Sequence, residues 1–482
     1  MTNHFSIKSL TLLLTCIVFM GCGHCSSVDE SKPNKSAIAG DWSGVLDVGV
    51  AKVTLILHVQ ENPEGTLSAT VDIVEQNATG IPIDSLSFDG EVLQFEIKRA
   101  FIKFEGVLAN PESEISGKYT QAGQSFSLSF ERGMKTPEKP NRPQEPKMPY
   151  PYSVEDVSYE NREAGVTLSG TLTLPAADGP VPVVILIAGS GPNNRDEELL
   201  GHKPFLVLAD HLTRQGIGVL RFDKRGCCQS TGDYKTATTQ DFTDDVLAGV
   251  EYLKSRSEVN PSQIGLVGHS EGGMIAPMAA ARSKDVAFIV LMAGPSVNGE
   301  EILYEQGALM LRAAGETEKS IALNRELQEQ LFSIIKNESD LKLAAEQLRE
   351  VVKNHIEKWK DQEKITLEVL EAQATAINTP WFRHFLIFDP ASALRRVQAP
   401  VLAINGELDL QVAPGQNLPV IAKALEEGGN KDFTIVELPK LNHLFQTCET
   451  GALAEYSKIE ETMSPTVLNL ISQWILEKTA QE

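Results

Sequence analysis

Between residues 37 and 135 apolar side chains recur at every second position. Val53, Leu55, Leu57 and Val59 alternate with more polar neighbours; so do Leu67, Ala69, Val71 and Ile73, then Leu93, Phe95 and Ile97, then Phe126, Leu128 and Phe130. Successive strand residues face opposite sides of a sheet, so this period predicts strands with one buried face. Turn signals at Asn62-Pro63-Glu64-Gly65 and Asp89-Gly90 separate the runs. Short alternating strands at this spacing predict a small all-β domain, a sandwich or barrel of about 100 residues. Trp42, after Gly40-Asp41, is expected in its core rather than as a ligand platform. No Ser-His-Asp cluster falls within this stretch.

Residues 136–151 carry Pro137, Pro140, Pro143, Pro146, Pro149 and Pro151. Proline fixes φ and removes a backbone donor, so the segment is expected to be an extended, semi-rigid linker and a domain boundary.

From residue 152 onward the pattern changes. Val183 to Ala188, Ile217 to Phe222, Ile264 to Val267, Phe288 to Met292, Val401 to Ile404 and Phe433 to Leu438 are apolar runs without alternation. Such runs suit strands covered on both faces. Helical patterns lie between most of them, for example Phe205 to Gln215 and Phe242 to Ser255. The alternation predicts an α/β fold over 152–482, a mostly parallel sheet with helices on both sides. From Pro295 to about Asp389 no strand pattern occurs, and the helical stretches Glu318 to Ile335 and Leu341 to Trp359 take over. This reads as a helical insertion, either a structural appendage or a cap over a site; its place between two sheet strands favours a cap.

Composition adds exclusions. The 482 residues are 42% hydrophobic and 22% charged, which rules out global disorder and a collagen-like chain. The formal charge is −22, with no local basic patch. Such a chain would be repelled by a phosphate backbone, so a nucleic-acid partner is not expected.

The first 22 residues read as an export signal. Lys8 and the amino terminus supply a weak positive end, and Leu10 to Met20 is an apolar run too short for an ordinary membrane span. Phe19-Met20-Gly21-Cys22 follows, and a small residue before cysteine is similar to a bacterial lipoprotein processing site. The expectation is a lipidated Cys22, a tether over 23–36 and a membrane partner through that N-terminal lipid, hence a cell-envelope protein. A plain secretory peptide cut nearby, giving a secreted protein, is the alternative. The other cysteines, at 16, 25, 227, 228 and 448, form no regular framework. No partner lies at zinc spacing from Cys227 and Cys228, so free thiols and no metal site are expected there.

The chemistry concentrates in Ile264-Gly265-Leu266-Val267-Gly268-His269-Ser270-Glu271-Gly272-Gly273. This G-x-S-x-G pattern follows an apolar strand and precedes a helical stretch, Met274 to Ala281. A sharp turn between strand and helix lifts a serine Oγ off the sheet edge, flanking glycines permit close backbone packing, and the helix start presents N–H dipoles to developing negative charge. Ser270 is the candidate nucleophile. A serine needs a base, and the base an orienting acid. His443, just after the run Phe433 to Leu438, is the candidate base, with His384 second; the His269 side chain is expected to point away from the serine Oγ. Asp409, after the run Val401 to Ile404, is the candidate acid, with Glu407 as a substitute. The oxyanion donors are expected to be the backbone N–H of Glu271 and that of Ser190 in Gly189-Ser190-Gly191-Pro192, with Gly191 the near alternative to Ser190.

With these residues assembled, the chain resembles the α/β-hydrolase superfamily and, within it, bacterial serine carboxylesterases. The resemblance covers 152–482. It rests on Gly189-Ser190-Gly191-Pro192 with Arg195-Asp196, on Arg221-Phe222-Asp223-Lys224-Arg225-Gly226, on Gly268-His269-Ser270-Glu271-Gly272-Gly273, on Trp381-Phe382 with Asp389-Pro390, on Gly406-Glu407-Leu408-Asp409 and on Asn442-His443. The order Ser270, Asp409, His443 is also that of the superfamily's triad. The resemblance implies this triad, a small-molecule ester substrate and no cofactor. Two departures stand out: Ala188 occupies a position where many relatives carry histidine, and Cys227-Cys228 replaces a more usual small pair. Arg221, Asp223, Lys224 and Arg225 read mainly as a structural charged loop. Trp381, Phe382 and Phe385 either line an acyl pocket or pack the cap.

Three functions compete at this level. The first is an esterase for short to medium acyl chains. The second is an aminopeptidase-like serine peptidase, because fold and triad alone do not fix the substrate. The third is a surface-anchored protein whose β domain binds a glycan or lipid.

Overall fold

The computed structural model describes residues 37–47, 52–74, 78–109, 113–121, 124–134, 141–356 and 367–480. The expected signal, Cys22 and the tether lie outside them. The described residues fall into two compact units. One holds those up to Pro140 together with Glu346–Ala376; the other holds Asn141–Ala345 with Ile377–Glu482.

In the first unit the alternating runs form β1 (Gly40–Asp47), β2 (Lys52–Glu61), β3 (Leu67–Ile73), β4 (Ala78–Pro82), β5 (Ser85–Phe88), β6 (Val92–Ile97), β7 (Ile102–Leu108), β8 (Glu114–Gln121) and β9 (Gln124–Arg132). They make one antiparallel sheet in the order β4-β3-β2-β1-β9-β8-β7-β6-β5. β4 and β5 are opposite edges of that order, yet only Ile83 and Asp84 separate them in sequence. The sheet must therefore curl until its edges approach, which favours the barrel over the sandwich. Its interior is filled by Trp42, Leu57, Phe95, Phe104 and Phe130, all buried. Trp42 donates its indole N–H to Ile38 O at 2.8 Å.

The second unit is an α/β-hydrolase fold. β10 (Ser153–Asn161), β11 (Val166–Leu174), β12 (Val181–Ile187), β13 (Gly218–Phe222), β14 (Val259–His269), β15 (Phe288–Met292), β16 (Val401–Gly406) and β17 (Phe433–Leu438) form a sheet in the order β10-β11-β13-β12-β14-β15-β16-β17. The first two pairings are antiparallel and the rest parallel, from β13–β12 through β16–β17. Two buried apolar clusters cover its faces. One holds Ile185, Leu266, Ile289 and Ala403, the other Val184, Val267, Val290 and Leu402. Neighbouring residues of one strand thus enter opposite clusters, which is why these runs are apolar throughout.

Helices α1 (Pro204–Arg214), α2 (Thr239–Lys254) and α3 (Glu271–Ala280) follow β12, β13 and β14. The interval between β15 and β16 is helical, as the sequence predicts: α4 (Gly299–Ala313), α5 (Glu318–Asn337), α6 (Leu341–Ile356), α7 (Leu367–Ala376), α8 (Pro380–Ile387) and α9 (Pro390–Leu394). Asn298, Thr317, Thr379 and Asp389 cap α4, α5, α8 and α9 by accepting backbone N–H bonds, the standard use of these side chains at helix starts. α10 (Pro414–Glu427), α11 (Leu453–Tyr456) and α12 (Pro465–Thr479) follow; α7, and α6 from Glu346, group with the first unit.

The proline-rich segment from Asn141 onward belongs to the second unit. Arg142 donates to the carbonyls of Leu200, Gly201, Ser457 and Ile459 at 2.9–3.3 Å, and to that of its neighbour Asn141. Gln144 bonds to the backbone of Thr462 and Met463. The described part of the expected linker, from Asn141 onward, is thus fastened to this unit. The expectation of free thiols at 227 and 228 is corrected: Cys227 and Cys228 are paired as a disulfide between adjacent residues. Cys448 is the free, buried cysteine among the described residues.

Candidate active site

β14 ends at His269 and α3 starts at Glu271, so Ser270 alone makes the turn. Its φ of 52° and ψ of −117° put an L-residue in a strained region. Ser270 N–H donates to Met292 O at 2.9 Å, and Ser270 O accepts from Gly273 N–H at 2.8 Å, so both sides of the turn are held. The glycines are steric requirements: a Cβ on Gly268 would lie 2.0 Å from Gly272 O, and one on Gly272 would lie 2.0 Å from Ile187 O.

His443 and Asp409 come together from the loops after β17 and β16. His443 Nδ1 lies 2.8 Å from Asp409 Oδ2, and both residues are buried. Asp409 Oδ1 accepts from the amides of Gln411 and Val412 at 2.8 and 2.9 Å. An ionised carboxylate held by fixed donors can orient the imidazole and leave Nε2 as the free ring nitrogen. Asn442 shapes the His443 loop by accepting from the amides of Leu444 and Gln446, both at 3.0 Å. Glu407, the substitute acid, is exposed and bonds instead to Lys440 N–H at 2.9 Å. His384, the second base, has a buried Nδ1 without a hydrogen-bond partner and stacks on Phe388 at 5.1 Å. Burial lowers its pKa against the pull of Glu271 and Asp241.

The loop after β12 distinguishes its neighbouring amides by their partners. Gly189 N–H donates to Glu197 Oε1 at 2.5 Å, and Gly191 N–H donates to Tyr234 Oη at 3.0 Å. The near alternative, Gly191, is therefore spent. Ser190 N–H makes no hydrogen bond among the described residues, and Glu271 N–H is the first, intrahelically unpaired amide of α3. A Cβ on Gly189 would lie 3.2 Å from Ser270 Cβ, so loop and elbow are in direct contact.

The charged loop after β13 does more than the sequence indicated. Lys224 is buried, donates to Gly189 O at 2.5 Å and pairs with Glu271 Oε2 at 2.8 Å. Glu271 Oε1 accepts from Thr239 Oγ1 at 2.8 Å and from Trp381 Nε1 at 2.6 Å. One carboxylate, next to the candidate nucleophile, thus joins the oxyanion loop, α2 and the insertion helix α8. Arg225 forks onto Asp245 at 2.6 and 2.7 Å, and Arg195 onto Asp223 at 2.9 and 3.2 Å. These two pairs tie the loop to α2 and to the chain after β12. Lys224 instead reaches the elbow, and the sequence signal for it is Glu271 at the first position of a buried helix.

Trp381 and Phe385 stack at 5.2 Å, and Phe385 packs against Met274 and Met278 of α3. The aromatic side chains of α8 therefore both pack the insertion and form a wall next to the elbow. Among the described residues no cluster of His, Cys, Asp and Glu is arranged to hold a metal ion.

A family model described as X-Pro dipeptidyl-peptidase (S15 family) matches residues 164–431, more than half of the chain. The chain belongs to the S15 family. The matched span takes in the elbow, the oxyanion loop and Asp409, and ends before His443. Esterase EstD of Thermotoga maritima is 28% identical over 389 residues, which are 80% of this chain and 80% of that protein. Putative hydrolase YtaP of Bacillus subtilis is 29% identical over 160 residues, 27% of this chain and 54% of that protein. Among solved structures, the Pyrococcus furiosus esterase PF2001 has 15% identity and a TM-score of 0.41, covering 68% of this chain and 91% of its own. The ferulic acid complex of Est1E from Butyrivibrio proteoclasticus has 17% identity and a TM-score of 0.39, covering 67% of this chain and 100% of its own.

Proposed function

We propose that this S15-family chain is a serine hydrolase acting on carboxylic esters of short to medium acyl length. The observation that carries the reading is the buried 2.8 Å His443–Asp409 bond beside the strained Ser270 turn. Similarity to an esterase across 80% of the chain supports the ester substrate.

In this reading Ser270 Oγ attacks the ester carbonyl while His443 Nε2 takes its proton. Asp409 holds the Nδ1 proton and stabilises the imidazolium. The C–O bond to the oxyanion lies against the amides of Ser190 and Glu271, donors of the kind whose single loss costs about 3–4 kcal/mol of transition-state stabilisation. The alcohol departs with the proton from His443 and leaves an acyl-Ser270 ester. Water then gives its proton to His443, attacks the acyl carbon, and releases the acid while Ser270 recovers its proton. The wall of Trp381 and Phe385 limits acyl length.

The family description favours one second reading, a serine peptidase. A substrate with a free amine needs an uncompensated carboxylate near the nucleophile. Glu271 stands at that place but is already paired with Lys224, Thr239 and Trp381, which favours the neutral ester. Nitrophenyl esters of rising chain length, offered beside aminoacyl anilides to the purified chain and to Ser270→Ala, separate the two. Ester turnover that dies in the variant is expected. Anilide turnover well above ester turnover would move the chain to the peptidases.

The same proposal includes export, with Cys22 as the lipid-bearing residue of a cell-envelope protein. Cys22→Ala is expected to abolish lipid labelling and release the protein from membranes; unchanged labelling would reject the site.

A further inference from the structure

The sequence leaves His269 without a task, and Glu197 unremarked. Both are buried. Glu197 adopts a φ of 51°, a left-handed conformation that costs a non-glycine residue energy. Its Oε1 accepts the Gly189 N–H at 2.5 Å and also lies 3.0 Å from His269 Nδ1, while its Oε2 is buried without a partner. On the other side of the ring, His269 Nε2 lies 2.9 Å from the backbone O of His443.

The proton count follows from these contacts. A carbonyl oxygen only accepts, so Nε2 carries a proton. A neutral ring would then aim the Nδ1 lone pair at a carboxylate oxygen. A second proton must lie between Nδ1 and Oε1, and the geometry assigns it to the ring, because Oε1 already accepts from Gly189. The ring also lies 4.8 Å from that of His443, centroid to centroid.

We propose that Glu197 and His269 form an ionic positioning pair that fastens the oxyanion loop, the Ser270 elbow and the His443 loop to one another and thereby sets the rate of acyl transfer. The inference rests on the ester hydrolase reading for its kinetic consequence, not for its proton count. Glu197 fixes the Gly189 amide, Lys224 fixes the Gly189 carbonyl, and the next amide, that of Ser190, is left free. His269 fixes the backbone of His443, whose side chain Asp409 orients. Neither Glu197 nor His269 is assigned a contact with substrate; they act through Gly189 and His443.

The pair has a pH signature. Burial opposes charge on His269, but Glu197, the His443 carbonyl and Asp409 outweigh it and raise the pKa above the ordinary 6.5. The charged or titratable groups facing the ring are Glu197, Asp409 and His443, with Lys224 beyond Gly189. The pair is therefore lost as pH rises through the raised value.

The test uses the full chain, nitrophenyl butyrate, and the variants Glu197→Gln and His269→Gln. Melting curves verify that both variants fold. Each is expected to lower kcat about 100-fold with little change in KM, the scale of loss for an ångström-sized misplacement. An alkaline fall in wild-type kcat should vanish in His269→Gln. Ring-nitrogen NMR of the histidine-labelled protein should find both His269 nitrogens protonated at pH 6.5, below the raised value, and only one in Glu197→Gln. A wild-type ring with one proton, or variants with kcat within about twofold of wild type, would overturn the pair. If wild type shows no Ser270-dependent ester turnover, the ester reading fails, and the NMR proton count alone decides the pair.

Discussion

In the β unit, His58 lies between Asp41 and Asp72 at 2.7 and 3.1 Å, with side-chain exposures of 24, 44 and 21%. In the α/β unit, Lys224–Glu271, His269–Glu197 and His443–Asp409 make contacts of similar length with exposures of 7% or less. Similar bonds carry different consequences. An exposed pair trades one hydrated state for another and contributes about 0–1 kcal/mol. A buried charge stripped of its partner costs about 3–5 kcal/mol. Burying ions is a poor route to stability, but it holds groups in one geometry, which is what a reaction site needs. The polar contacts of the β unit are adjustable; those around Ser270 are not.

The largest effect that would sharpen this contrast is at the acid. Asp409→Asn is expected to lower kcat for esters about 10⁴-fold, because the amide favours the wrong imidazole tautomer. A loss below about tenfold in steady-state assays would break the assignment of Asp409. Next comes Lys224→Met, which leaves Glu271 buried without its cation. A destabilisation of about 3–5 kcal/mol is expected in denaturant melts, with a fall in kcat from the loosened Gly189 loop. Retained stability would mean that Thr239 and Trp381 suffice. Of comparable size, Trp42→Ala should cost the β unit about 3–5 kcal/mol while Ser270-dependent turnover persists. Turnover lost in that variant, under conditions where the α/β unit stays folded, would show that the β unit takes part in the reaction.

The smallest effect is at His58. Burial alone would lower its pKa, but the bonds and charges of Asp41 and Asp72 raise it above 6.5. Burial likewise works to raise the Asp72 pKa, but the Gly80 amide and His58 hold it below 3.8. The histidine contribution is present in full below pH 6.5 and is lost as pH rises through the raised value. The aspartate contribution is present above 3.8 and is lost as pH falls through the lowered value. His58→Asn should therefore cost less than about 1 kcal/mol in melts at pH 6, and less still as pH rises through the raised value.

Much of the scaffold was legible because burial on both faces writes continuous apolar runs. Phe288–Met292 and Phe433–Leu438 match β15 and β17 residue for residue. β14 was read short, since its start, Val259-Asn260-Pro261-Ser262, is polar and lacks that pattern. Ser270, Asp409 and His443 can be nominated from the sequence because each follows a readable strand. The supports were not. Lys224 and Glu271 are 47 residues apart, and Glu197 and His269 are 72 apart. Their pairing depends on the β12-β13 and β12-β14 adjacencies, which the order of elements along the chain does not reveal. The paired Cys227 and Cys228 were read as free thiols for a different reason: adjacency in sequence says nothing about oxidation.

Activation of Ser270 by the buried His443–Asp409 bond can be tested in one experiment. The full chain is treated with a fluorophosphonate, digested, and the labelled peptide located by mass spectrometry, in wild type and in His443→Ala. A single adduct on Ser270 is expected, formed at least about 10³-fold more slowly in the variant. A label on another residue, or one that reaches Ser270 equally fast without His443, would contradict it.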